Sequence, residues 1–121
     1  MPMRLHHLAL RSADVTALAA FYREMFGMPV VREALPRSLW LGLADDAVLM
    51  IEARETGDPA PTPDSMDLVA FRVDEATRVM VRQKALAKGC FDGETGYTVY
   101  LRDPEGRRLG VSTYDFAPAP R

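Results

Sequence analysis

The sequence predicts an α+β fold of two βαβββ modules whose curved sheets surround an open cleft. Three observations predict it. The order strand, helix, three strands occurs twice, with a repeat of about 60 residues, and a repeat of that kind fixes the architecture. Each helical segment is framed by an Asp before it and a Gly after it, Asp14 and Gly27 in the first half, Asp74 and Gly89 in the second. The first strand of each half also carries an arginine at the same phase: Arg11 follows His7 by four residues and Arg72 follows Leu68 by four. A four-stranded sheet with one helix covers only one of its faces. The other face is left to form a cleft, which two modules side by side close partway.

The first module spans residues 4–54. Arg4 to Arg11 alternates as a strand. Apolar residues then recur at Val15, Leu18, Ala19, Tyr22, Met25 and Phe26, which is helical spacing. Asp14 suits the N-cap, Gly27 the residue after the C-terminus, and Pro29 forbids continuation. Val30 to Glu33, Ser38 to Leu43 and Ala47 to Arg54 read as strands, with turn chemistry at Asp45-Asp46. Residues 55–66 hold Gly57, Pro59, Pro61 and Pro63 and read as a linker. The second module spans residues 67–114. Asp67 to Val73 is its first strand. Its helix runs from Asp74 to Lys88 on apolar spacing at Ala76, Val79, Met80, Gln83, Leu86 and Ala87. A weak strand near Cys90-Phe91 follows, then Tyr97 to Arg102, the turn Asp103-Pro104-Glu105-Gly106, and Arg107 to Tyr114. Residues 115–121, with two prolines, read as a loose tail.

Composition excludes several classes. The 121 residues suffice for a compact domain with a core, and 48% hydrophobic with 26% charged residues is ordinary for a globular protein. The net charge of −2 and scattered basic residues give no footprint for nucleic acid or an anionic membrane surface. No apolar run suits a membrane span, and no signal-peptide pattern opens the chain. A single cysteine, Cys90, cannot make an internal disulfide, so a cytoplasmic protein is expected.

Two motifs carry a family resemblance. His7-Leu8-Ala9-Leu10-Arg11 before Asp14, then Phe21-Tyr22 before Phe26-Gly27, resembles the opening pattern of the vicinal oxygen chelate superfamily, the glyoxalase, bleomycin-resistance and extradiol-dioxygenase proteins. Val99-Tyr100-Leu101-Arg102-Asp103-Pro104-Glu105-Gly106 resembles its closing pattern. They stand in the expected order about 90 residues apart, and the resemblance covers essentially the whole chain. The Asp-Pro-Glu-Gly segment also has a reason of its own. Pro presets a β-turn, Asp caps it and Gly accepts positive φ, so the motif speaks for fold and not for chemistry.

The resemblance implies where a divalent metal (Zn, Ni, Mn or Fe) would sit. In metal-dependent members, His and Glu ligands come from the first and last strand of each module, and the ion stabilises negative charge developing on substrate oxygens. Carried over, the first-module positions fall on His7 and Glu52. The second-module positions fall on Leu68 and Gly110, neither of which offers a ligand. Strand parity puts His7, Glu52, Leu68, Ala70, Gly110 and Ser112 on the cleft side, and Leu8, Leu10, Leu49, Ile51, Val69, Phe71, Leu109 and Val111 toward the helices. His6 falls on the wrong face for the cleft.

Two readings of His7 and Glu52 stay open: a two-ligand remnant completed by water or substrate, or a hydrogen-bonded pair in a metal-free cleft, acting as ligand anchor or general base. Tyr100 and Tyr114 are candidate ligand-binding residues or plain strand residues. Trp40 is a stacking surface or a core or interface residue. Arg72 and Arg108 share the cleft phase and could meet an anion, or be solvated. Cys90 reads as a small buried residue.

The functional expectation is a small-molecule-binding protein with a degenerate metal site, as in drug-sequestering relatives, assembled as a homodimer. The alternative is a metal-dependent lyase, isomerase or dioxygenase using His7 and Glu52. A catalytically silent interaction domain is a third. Glyoxalase I activity itself is disfavoured, because it normally needs the full ligand set. No segment points to glutathione, a catechol or fosfomycin.

Overall fold

A computed structural model describes residues 3–116, so the end of the expected tail, residues 117–121, lies outside the described residues. The chain divides into two compact units, Met1–Pro61 and Thr62–Arg121. The first contains β1 (His7–Ser12), α1 (Val15–Phe26), β2 (Val30–Ala34), β3 (Ser38–Gly42) and β4 (Val48–Ala53). Its sheet runs in the order β1-β4-β3-β2, with β1 parallel to β4 and the other pairs antiparallel. The second contains β5 (Leu68–Arg72), α2 (Glu75–Lys88), β6 (Phe91–Glu94), β7 (Thr98–Arg102) and β8 (Arg108–Ser112), in the matching order β5-β8-β7-β6. This is the expected α+β class with two βαβββ modules, and neither sheet closes on itself. No helix among the described residues is long and apolar enough to cross a membrane.

The helix ends follow from single residues. The Asp14 carboxylate accepts from the Ala17 N–H at 3.0 Å, and Gly27 sits at φ 68°, donating its N–H to the Arg23 carbonyl. Asp74 accepts from the Thr77 N–H at 2.8 Å, and Gly89 lies at φ 73°. Both ends satisfy backbone groups that a bare helix terminus leaves unpaired. In the first unit, Val15, Leu18, Ala19, Tyr22 and Met25 of α1 are buried, together with Leu39, Leu41, Leu49 and Ile51 of the sheet.

The second unit buries Val99, Leu101, Leu109 and Val111 with Val81 and Ala85 of α2. The apolar stripe read from the sequence of this helix is a different one. Val79, Met80 and Leu86 remain 41%, 42% and 48% exposed, whereas Val81 is fully buried. The inward face is built on Thr77, Val81 and Ala85, flanked by the half-buried Arg78, Arg82 and Lys84, whose aliphatic stems can cover apolar surface.

The turn before β8 is fixed by the buried Asp103. Its carboxylate accepts from the Glu105 and Arg107 N–H groups at 2.8 and 3.1 Å and pairs with the Arg107 guanidinium at 3.2 Å. Gly106, at φ 88°, lets Pro63 approach: a Cβ there would stand 3.1 Å from the proline. The Arg102 guanidinium donates to the carbonyls of Pro63, Ser65 and Gly106. The segment after Pro61, read from sequence as linker, is thus anchored to the second unit.

Candidate functional site

In each sheet one face meets the helix and the other is left open. On the open side of the second sheet stand Leu68, Ala70 and Arg72 of β5, Gly110 and Ser112 of β8, and Thr98 and Tyr100 of β7. The register pairs Ala70 with Gly110 and Gly110 with Tyr100, then Arg72 with Ser112 and Ser112 with Thr98. A cavity of about 390 Å³ occupies this face, lined by these β5 and β7 residues with Ser112, Tyr97, Tyr114 and Phe116. That volume is in the lower part of the roughly 300–1,000 Å³ typical of small-molecule sites.

Gly110 lets three lining residues close over the sheet. A Cβ on it would meet the Thr98 methyl at 3.3 Å and Ala70 and Leu68 at 3.5 Å, so these side chains pack directly against the bare backbone there. The first unit acts as an internal control. Trp40 pairs with Met50, and Met50 with Ala9, as Tyr100 does with Gly110 and Gly110 with Ala70. At the position of Gly110 the first sheet therefore holds a methionine.

Aromatic rings form one wall. Tyr97 and Tyr114 meet edge to face at 5.1 Å between centroids, and Tyr114 and Phe116 at 5.0 Å, geometries favoured by the ring quadrupoles. The Arg108 guanidinium stacks over Tyr100 at 4.0 Å and lies 3.4 Å from Asp92, which it shares with Arg102 at 3.0 Å. Thr98 and Ser112 join hydroxyls at 2.7 Å, and the Ser112 oxygen also accepts the Tyr114 N–H.

Of the residues singled out from the sequence, Tyr100 and Tyr114 thus line the cavity, while His7 and Glu52 lie in the other unit. The register pairs His7 with Val48 and Glu52 with Arg11. His7 and Glu52 share a face, but four residue steps separate them, about 13 Å along the strands. The hydrogen-bonded His–Glu pair is therefore not formed. The Nδ1 of His7 instead lies 2.9 Å from that of His6.

The register also corrects the carry-over of ligand positions. Met50, not Glu52, is the counterpart of Gly110, and Glu52 corresponds to Ser112. Glu52 borders a second, more polar cavity of about 300 Å³ with Arg11, Arg37, Ser38 and Arg54. Among the described residues no three His, Cys, Asp or Glu side chains converge on one point. Within either unit the residues present do not fit the metal that the resemblance implies: His7 has Val48 beside it, and Leu68 and Gly110 offer no donor.

Sequence reasoning missed Tyr97 and Phe116. Tyr97 lies just before β7, where strand parity does not apply, and Phe116 fell within the expected tail. The signal that could have found Phe116 is the period-two run Ser112, Tyr114, Phe116 past the end of β8. Trp40 lies under the Arg32 guanidinium, 4.8 Å from its ring centroid, and its buried indole N–H has no partner among the described residues. Burial pushes the Cys90 thiol up from its ordinary value, and this residue lines neither cavity.

Paired βαβββ units with one open sheet face apiece define a glyoxalase-like fold. The model of the Glyoxalase/Bleomycin resistance protein/Dioxygenase superfamily matches residues 4–111, and the chain belongs to that superfamily. It is 27% identical to "Virulence protein STM3117" of Salmonella typhimurium over 121 residues, covering 92% of this chain and 84% of that protein. Among solved structures, a possible glyoxalase from Bacillus cereus is similar at a TM-score of 0.74 and 22% identity, covering 92% of this chain and 99% of that one. The fosfomycin resistance protein FosX of Listeria monocytogenes is similar at 0.78 and 17%, covering 96% and 94%. At these identities the structural likeness speaks for the fold alone.

Proposed function

We propose that this protein binds a small organic molecule on the open face of its second sheet, in the cytoplasm and as a homodimer, and that its metal site is degenerate. The observation that carries the reading is the cavity lined by Leu68, Ala70 and Thr98 and walled by Tyr97, Tyr100 and Tyr114. Its lining offers aromatic and aliphatic surface with a few polar groups, the usual make-up of a small-molecule pocket. The position where the resemblance would put a carboxylate, Gly110, carries no side chain, and lining residues pack against it. His7 and Glu52 take no part in this binding.

The test is Gly110→Met, which installs the first unit's residue in the second. Binding of planar aromatic probes, followed by tyrosine fluorescence, should weaken by more than roughly ten-fold, because the added side chain must displace Thr98, Ala70 and Leu68, which line the cavity. Unchanged binding in a folded Gly110→Met protein would rule the site out. Sedimentation at micromolar concentration tests the dimer.

A further inference from the structure

We infer that the ligand of this cavity is a planar aromatic compound bearing a carboxylate, and that Arg72 is the residue that selects for the charge; the inference rests on the binding site proposed above. Arg72 lines the cavity at the end of β5. Its counterpart in the first unit, Arg11, faces two carboxylates, Glu55 at 3.8 Å and Asp58 at 3.6 Å. Among the described residues of the second unit Arg72 has no such partner and no ion pair. Within those residues the repeat neutralises one of two equivalent guanidiniums and leaves the other at an aromatic-walled cavity.

A second donor lies beside it. Arg72 is the register partner of Ser112, which is the partner of Thr98. The two hydroxyls share one hydrogen bond, and the Ser112 oxygen accepts the Tyr114 N–H. Two hydroxyl hydrogens with one used between them leave one O–H unspent. A guanidinium fork and a neighbouring O–H, on strands about 4.8 Å apart, match the two oxygens of a carboxylate. Tyr97, Tyr100 and Tyr114 offer their rings to the flat apolar body, the arrangement that aromatic packing favours.

The experiment compares 1-naphthoate with 1-naphthalenemethanol, its neutral analogue, by calorimetric titration of the full chain. The wild type should prefer the carboxylate by roughly ten-fold or more, the scale of one charge-assisted hydrogen bond. Arg72→Gln should erase that preference, lowering the carboxylate's affinity by far more than the alcohol's, and Arg72→Lys should keep part of it. Arg72 is exposed, so neither substitution threatens the fold. A preference that survives in Arg72→Gln overturns the inference and leaves the binding site standing. Failure of both compounds to bind the wild type at millimolar concentration overturns the site and the inference together. A dimer that excludes both probes and dissociates on Tyr114→Asp would identify a second copy of the chain as the occupant and overturn the inference too.

Discussion

At the scale of single residues, Asp103 and Gly110 carry opposite duties. Asp103 is buried and spends its carboxylate on two backbone N–H groups and the Arg107 guanidinium, which locks the turn into β8. Asp103→Ala should cost about 2–4 kcal/mol, read as a lowered urea midpoint at constant slope, because it strands buried donors. A loss under half a kcal/mol would mean the turn holds itself. Gly110, in contrast, matters for how closely its neighbours approach the sheet. Asp103 sits in the segment that carries the family resemblance and was legible from the sequence as a structural device; Gly110 lies four residues beyond that segment. It appeared from sequence as a missing ligand; that Thr98, Ala70 and Leu68 pack against it needed their side chains in place.

Acid sensitivity also belongs to single residues. Hydrogen bonding by Thr77 holds the Asp74 carboxyl below its ordinary value of 3.8, and the bond from Arg82 holds Glu94 below 4.5. A lowered folded pKa means a contribution that is complete above the ordinary value and lost as pH falls through the folded one. The protection of amides at the start of α2, taken relative to their intrinsic exchange rate at each pH, should therefore fall on acidification below the ordinary carboxylate range. In Asp74→Asn, whose amide caps without titrating, that local pH dependence should vanish. A wild-type profile that stays flat there would remove the cap from the account.

At the scale of elements, the strands and caps were legible and one helix face was not. Alternation in the first strand of each half, and strand-like segments between turns elsewhere, located the strands, the sixth only as a weak segment near Cys90-Phe91, with ends shifted by a few residues: the first begins at His7, not Arg4. Both helices were bounded correctly because Asp and Gly act locally, through one side-chain acceptor and one positive φ. The buried face of α2 depends instead on what covers the sheet, and there arginine and lysine stems flank the seam beside Val81 and Ala85, leaving a second apolar stripe outside. Val81→Ala should cost about 2 kcal/mol by its cavity and lost burial, whereas Met80→Lys should stay within about 0.5 kcal/mol. Thermal unfolding of the two variants checks this, and a reversed order would restore the stripe at Val79 and Met80 as the packed face.

At the scale of the whole molecule, the repeat is the main source of information. It was visible in the sequence as element order and matching punctuation, and it supplied the fold. Its limit lay in alignment between the halves. Counting from motifs set Glu52 against Gly110, while strand register sets Met50 there, a shift of two residues that preserves the face and so escapes parity. The same repeat compares the two open faces: Met50 of one sheet stands where Gly110 stands in the other, and the proposed site lies in the second unit.

The central claim is that the second sheet's open face is the binding site. Its most direct test is a map of backbone amide and tyrosine ring shifts in isotope-labelled protein titrated with 1-naphthoate. The account predicts shifts concentrated at residues 68–72, 95–100 and 110–116, with His7 and Glu52 silent. Shifts centred on His7 and Glu52, with Tyr100 and Tyr114 unmoved, would contradict it.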